Sequence, residues 1–317
     1  MKPVCTAIAI LLDAAAQPTF AATTVCEAVW TDASRQRAVP VRMRLPQGIS
    51  RAPVVVFSHG LGGTYAAGTD WAEAWADAGI ATIHVQHPGS DENLWKSATG
   101  PANRLAALRS GASGVQLVAR IADVRFVIDE LARRPAEVMT GGCRIAAIDT
   151  TRFGMAGHSF GAVTTQALAG QRFASGATAS DPRIKAAIAF SPSPSRQLPD
   201  AESFGAIIIP FMSVTGTADT VPMLDRTPAA DRTRPYAAMP AGGKYLLVFD
   251  GADHAIFNGH RLRRAAAPGD AHVKATVSAA TTDFWRSHLL GDAGARKRLD
   301  GPSPIKGIAA NDKFSKK

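Results

Sequence analysis

Phe153-Gly154-Met155-Ala156-Gly157-His158-Ser159-Phe160-Gly161 reads as a short buried strand running into Gly-x-Ser-x-Gly, and Ala162 to Ala169 behind it can supply a helix. A serine on such a strand-to-helix turn is forced into a strained, exposed position, which makes Ser159 a candidate nucleophile. The glycines at 157 and 161 leave room where neighbouring backbone must pass close by. The positive N-terminal end of the helix favours negative charge building up beside the serine. In a chain with 28 glycines the pentapeptide alone is a weak signal, and a serine there also suits a plain helix N-cap. Its flanks must carry the argument.

Upstream, Pro53 to Phe57 is an apolar strand that ends in Ser58-His59-Gly60-Leu61-Gly62-Gly63. The His-Gly-x-Gly-Gly pattern leaves backbone N–H groups unencumbered, as an oxyanion hole requires. Downstream, Ile207 to Val214 reads as a strand leading into Thr215-Gly216-Thr217-Ala218-Asp219, so a carboxylate follows a strand end. Tyr245 to Phe249 is another, leading into Asp250-Gly251-Ala252-Asp253-His254. The chain order is therefore Ser159, Asp219, His254, as in an α/β-hydrolase triad. Asp225, Asp250 and Asp253 are alternatives for the acid, because turn aspartates need no catalytic reason.

From about Trp30 to Leu290 the chain resembles the α/β-hydrolase superfamily, and within it the dienelactone-hydrolase-like and platelet-activating-factor-acetylhydrolase-like branch. The matching phrases are Phe57 to Gly63, His87-Pro88-Gly89-Ser90-Asp91, Gly157 to Gly161, Thr215 to Asp219 and Gly251 to His254. One departure matters: dienelactone hydrolases proper use a cysteine nucleophile, whereas Ser159 stands here. The resemblance implies an α/β fold with a mostly parallel central sheet, an antiparallel N-terminal hairpin and helices on both faces. It also implies hydrolysis of carboxylic esters through an acyl-enzyme. His254 would take the proton of Ser159, Asp219 would hold the imidazole, and the backbone N–H groups of Leu61 and Phe160 would bind the oxyanion. No metal or organic cofactor is required. The rival readings are amide or peptide cleavage on the same scaffold and a non-catalytic binding protein of the same fold.

At 317 residues and 46% hydrophobic content the chain can bury one large core. The net charge of +9 is partly local, because seven lysines and arginines crowd residues 296–317. Residues 293–317 are therefore expected as a flexible basic tail after a catalytic domain spanning 23–292. Only Phe314 accompanies those charges, which argues against a nucleic-acid partner. A small-molecule, lipid or polymeric ester is the expected partner, and nothing in these residues specifies an oligomeric state. Lys2 followed by the apolar run Val4 to Leu12 and small residues to Ala22 suits a secretory signal over 1–22, with periplasmic or secreted localisation. It is too short for a stable membrane span. Ala21 or Ala22 fits the cleavage site and Ala14 to Ala16 competes; Asp13 weakens the apolar core. Loss of that segment would remove Cys5 and leave Cys26 and Cys143, either disulfide-bonded or two buried thiols.

Val25 to Trp30 and Val39 to Leu45 read as the hairpin, and Ile80 to Val85 and Ile184 to Phe190 as further strands. Helices are expected over Trp71 to Ala78, Val115 to Arg134 and Val273 to Leu290. Ser90 to Gly114 is polar enough for an excursion or small lid, with Leu94 and Trp95 either lining a cleft or simply packing. His84, His87 and Asp91 have a spacing a metal can use, but His84 falls among buried strand positions, and a core or loop role is favoured. His59 and His158 are read as structural parts of their turns.

Overall fold

A computed structural model describes residues 23–134, 137–260, 265–302, 305 and 307–317. The expected export signal lies outside them. In chain order the elements are β1 (Thr23–Asp32), β2 (Arg37–Pro46), β3 (Ala52–Ser58), α1 (Thr69–Asp77), β4 (Ala81–Val85), α2 (Asn93–Lys96), α3 (Gly100–Gly111) and α4 (Gly114–Arg133). They continue with β5 (Ile148–His158), α5 (Phe160–Ala169), β6 (Ile184–Phe190), α6 (Asp200–Phe204), β7 (Phe211–Ala218), α7 (Arg234–Ala238), β8 (Lys244–Asp253), α8 (Asp270–Leu289), α9 (Ala293–Asp300) and β9 (Lys313–Lys316).

Among the described residues the strands form one sheet in the order β1-β2-β4-β3-β5-β6-β7-β8-β9. The hairpin β1–β2 and the β2–β4 pairing are antiparallel, and the strands from β4 through β8 run parallel. Helices cover both faces, which the period-two alternation of β3 makes visible. Val54 and Val56 pack with Ile121, Val124 and Ile128 of α4, whereas Val55 and Phe57 pack with Trp71 and Trp75 of α1 and Trp285 of α8. All seven residues of β3 are buried, as a central parallel strand between two helical layers must be. The expected mostly parallel sheet with its N-terminal hairpin is thus present.

Several strand boundaries differ from expectation: β5 begins at Ile148 and β8 runs on to Asp253. β7 begins at Phe211 and not at Ile207, since Pro210 has no N–H for the ladder and Ile208 is exposed. The larger correction concerns residues 293–317, expected as a flexible tail. They carry α9 and β9, and β9 pairs antiparallel with β8 from Tyr245↔Lys316 to Val248↔Lys313. Ala295 and Leu299 are buried, and Phe314 stacks on Tyr245 at 6.3 Å between centroids. Arg296, Lys297, Arg298, Lys313, Lys316 and Lys317 are exposed while these few apolar residues anchor the segment, covering an edge that would otherwise expose unpaired backbone groups.

Cys26 of β1 is disulfide-bonded to Cys143, just before β5. Both are buried. Among the described residues no helix is long and apolar enough to cross a membrane.

Candidate active site

β5 delivers the chain to Ser159 and α5 takes it away, which forces Ser159 into φ 56°, ψ −115°. A non-glycine residue at positive φ costs on the order of 1–3 kcal/mol and persists only where its surroundings over-determine it. Here they do. The Ser159 N–H donates to the Phe190 carbonyl of β6 (2.9 Å), and the Ser159 carbonyl accepts from Ala162 and Val163. The glycines on either side have no alternative. A Cβ at Gly157 would stand 2.3 Å from the Gly161 oxygen, and one at Gly161 would stand 1.9 Å from the Ser58 oxygen at the end of β3. The close passage inferred from the motif is therefore between the elbow and β3.

His254 follows β8 and donates from Nδ1 to Asp219 Oδ1 at 2.6 Å. With Nδ1 carrying the proton, Nε2 holds the free lone pair, as a general base requires. Asp219 follows β7 and is fully buried. Its Oδ2 accepts from the Thr215 hydroxyl at 2.8 Å. Burial alone would push its carboxyl up, but the hydrogen bond and charge of His254 and the charge of Arg232 outweigh it and hold the group below the ordinary aspartate value. The alternative acids are otherwise engaged. Asp225 pairs with Arg196 and Arg232, Asp250 accepts from Thr217, and Asp253 accepts from the N–H groups of Ala255 and Ile256.

Arg232 was not legible in the sequence. It sits in a short 3-10 turn before α7, 1% exposed, with Nε 2.9 Å from Asp219 Oδ1 and 2.8 Å from the Asp219 carbonyl oxygen. Its guanidinium is a buried cation in direct contact with the Asp219 carboxylate. It has no motif around it, and only the fold brings it to the carboxylate.

His158, inside the elbow, also does more than fill its turn. Its Nε2–H donates 3.0 Å to the His254 carbonyl, and the two rings lie 4.6 Å apart. Burial, with the His254 charge adding to it, pulls its pKa down to about 3, so it stays neutral.

On the other side of Ser159, Gly60 lies so close that a Cβ there would stand 3.4 Å from Ser159 Cβ. The Gly60 carbonyl accepts from His59 Nδ1 (2.6 Å) and from the Gly63 N–H (3.0 Å). These bonds orient the peptide unit whose N–H belongs to Leu61. Neither the Leu61 nor the Phe160 N–H donates to a protein acceptor among the described residues, so both are available to a ligand. The expected excursion over the strand ends forms α2 and α3. Trp95 donates to the Gly62 carbonyl (2.8 Å), Leu94 packs on Gly111, and Arg109 of α3 reaches across to the Met223 carbonyl (3.2 Å). Trp95 therefore supports the loop that carries Leu61.

The histidines with metal-like spacing are bound to protein groups. His84 contacts the Ala67 carbonyl and Thr82, His87 lies between Ser58 and Asp123, and Asp91 accepts from Gln86 and Asn93. Among the described residues no group of three or more His, Cys, Asp or Glu is arranged to hold a metal ion.

No protein-family model matches the chain, and no curated protein matches it. Among solved structures it is similar to a ferulic acid esterase from Streptomyces cinnamoneus, with a TM-score of 0.61 over 95% of this chain and 98% of that one, at 19% identity. Identity that low carries architecture alone. With the strand order, the N-terminal hairpin and the helices on both faces, it shows that this chain has the α/β-hydrolase fold.

Proposed function

We propose that this protein is a serine hydrolase that cleaves carboxylic esters through an acyl-enzyme. The observation that carries the reading is the Asp219–His254 hydrogen bond of 2.6 Å, together with the strained backbone of Ser159 on the strand-to-helix elbow. His254 Nε2 accepts the Ser159 proton as the hydroxyl attacks the ester carbonyl, and Asp219 stabilises the imidazolium that forms. The tetrahedral oxyanion is held by the N–H groups of Leu61 and Phe160, each worth on the order of 3 kcal/mol in the transition state. Collapse expels the alcohol, which takes the proton from His254, and water repeats the cycle on the acyl-enzyme.

The similarity in fold to a ferulic acid esterase supports an ester as the substrate. The phrase His87-Pro88-Gly89-Ser90-Asp91 supports the finer assignment to the dienelactone-hydrolase-like and acetylhydrolase-like branch. The disulfide supports an oxidising compartment, in keeping with export through the signal read in residues 1–22.

The test is hydrolysis of nitrophenyl esters from acetate to long acyl chains, with methyl ferulate alongside, for wild type and Ser159→Ala. Turnover that drops at least about 10³-fold in the variant is expected. A folded wild type that cleaves none of these esters and is not labelled by a phosphonate would overturn the proposal. Cleavage of anilides in preference to esters would redirect it to amide hydrolysis.

A further inference from the structure

Beneath the candidate oxyanion loop lies a chain of polar groups that the proposed reaction does not use directly. Ser58, His87, Arg120 and Asp123 are all buried to within 1% of full burial. Asp123 accepts from His87 Nδ1 (3.0 Å), so His87 Nε2 is the acceptor for the Ser58 hydroxyl (2.9 Å), and Ser58 Oγ in turn accepts from Arg120 Nη2 (3.2 Å). Donation thus runs one way, from Arg120 through Ser58 and His87 to Asp123. Asp123 is also paired with Arg35 and Arg37.

The Arg120 end of this chain is unusual. Its direct acceptors among the described residues are neutral: Ser90 Oγ (3.0 Å), Ser58 Oγ and the His59 carbonyl. Its Nε has no hydrogen-bond partner among the described residues. Burying a guanidinium without a carboxylate in contact is costly, and burial pulls its pKa down to about 9. The His59 carbonyl it holds opens the turn that presents the Leu61 N–H. Its guanidinium carbon also lies 4.6 Å from the centroid of the Phe160 ring, and Phe160 supplies the other candidate donor. One buried cation therefore touches both halves of the oxyanion site.

We propose that Arg120 is a positioning residue for this reaction: it fixes the Leu61 and Phe160 N–H groups relative to one another and places a permanent positive charge behind the developing oxyanion. This rests on the serine-hydrolase reading above. The role explains why a charge without a carboxylate in contact is kept in the core, since preorganised dipoles and charges act strongly where water is excluded.

The experiment compares wild type, Arg120→Lys and Arg120→Met. Sites are counted by titration to completion with a nitrophenyl phosphonate, and kcat per titrated site, KM and inhibition by a trifluoromethyl ketone are measured. Arg120→Met is expected to lower kcat per titrated site about 30- to 100-fold, a fraction of the loss of a direct donor, with KM within about threefold. Affinity for the ketone, whose adduct carries an oxyanion, should weaken in parallel with kcat/KM. Arg120→Lys should recover part of both. If Arg120→Met does not fold, Ser90→Ala removes one of the guanidinium's acceptors and should cost about three- to fivefold in kcat per site. Fewer titratable sites with unchanged turnover per site would mean that Arg120 only maintains the fold, and would overturn the proposal. So would unchanged turnover per site in both Arg120→Lys and Ser90→Ala. A wild type that neither titrates nor turns over would instead refute the serine-hydrolase reading itself.

Discussion

His158 Nε2–H donates to the backbone carbonyl of His254 across 3.0 Å, joining the turn that carries the candidate nucleophile to the loop that carries the candidate base. The two segments are 96 residues apart in sequence, and the bond acts on the His254 backbone and leaves its ring free. His158→Ala should therefore lower kcat on the order of 10- to 100-fold with little change in KM, because misplacing a catalytic group by an ångström is enough. His158→Gln, which can offer a donor near the same point, should restore part of it. Steady-state kinetics on a nitrophenyl ester decides.

Asp219→Asn should keep the fold and lose function. An amide in place of the carboxylate presents the wrong partner to His254 Nδ1 and no longer fixes its tautomer, with a loss in kcat of about 10³- to 10⁴-fold. Asp253→Asn, by contrast, should stay within about threefold of wild type, because Asp253 Oδ1 accepts from turn N–H groups. Parallel kinetics of the two variants separates the assignments.

The contrast between these aspartates shows how far the sequence could be read. The positions of Ser159, Asp219 and His254 at strand ends were legible because each follows an apolar strand in the sequence; their catalytic roles are proposed from that placement and from chain order. Arg232 and Arg120 were not. Their partners lie 7 to 62 residues away in sequence, and arginine in a helix or turn reads as a solvated charge until the fold encloses it. β9 was missed for a related reason. In Lys313-Phe314-Ser315-Lys316 one aromatic among lysines resembles a tail, and only the uncovered edge of β8 gives it a partner.

Stability should fall as the solution is acidified. Burial holds His84 and His87 near a pKa of about 4 and His158 near about 3, with the charge of Arg120 adding to the effect at His87 and that of His254 at His158. In the unfolded chain these groups titrate near about 6.5. Between about pH 6.5 and 4 the unfolded state binds protons that the native state refuses, so stability present above that window is lost as pH drops through it. Each histidine contributes a slope of up to about 1.4 kcal/mol per pH unit. Urea unfolding at about pH 7.5, 6 and 4.5 should show a falling midpoint, and His84→Gln should flatten the decline. A midpoint independent of pH over this range would contradict the argument.

Reducing or deleting the Cys26–Cys143 bond should weaken the fold and spare the chemistry. The bond closes a span of 117 residues, and losing it should cost about 2–5 kcal/mol. It precedes β5, whereas Ser159 follows that strand's other end, so the folded Cys26→Ser/Cys143→Ser protein should keep kcat within about twofold of wild type. Urea unfolding with and without reductant, alongside esterase kinetics, measures both halves of the claim.

Ser159, Asp219 and His254 hang from the ends of β5, β7 and β8, and β6 stands between the first two in the sheet. No local segment can assemble them. Parallel strands pair only after long loops close, which is the slow class of contact. Reactivity toward a phosphonate should consequently emerge with the last phase of refolding, after helix formation is complete. That lag would make phosphonate reactivity a timer for the topology of the sheet.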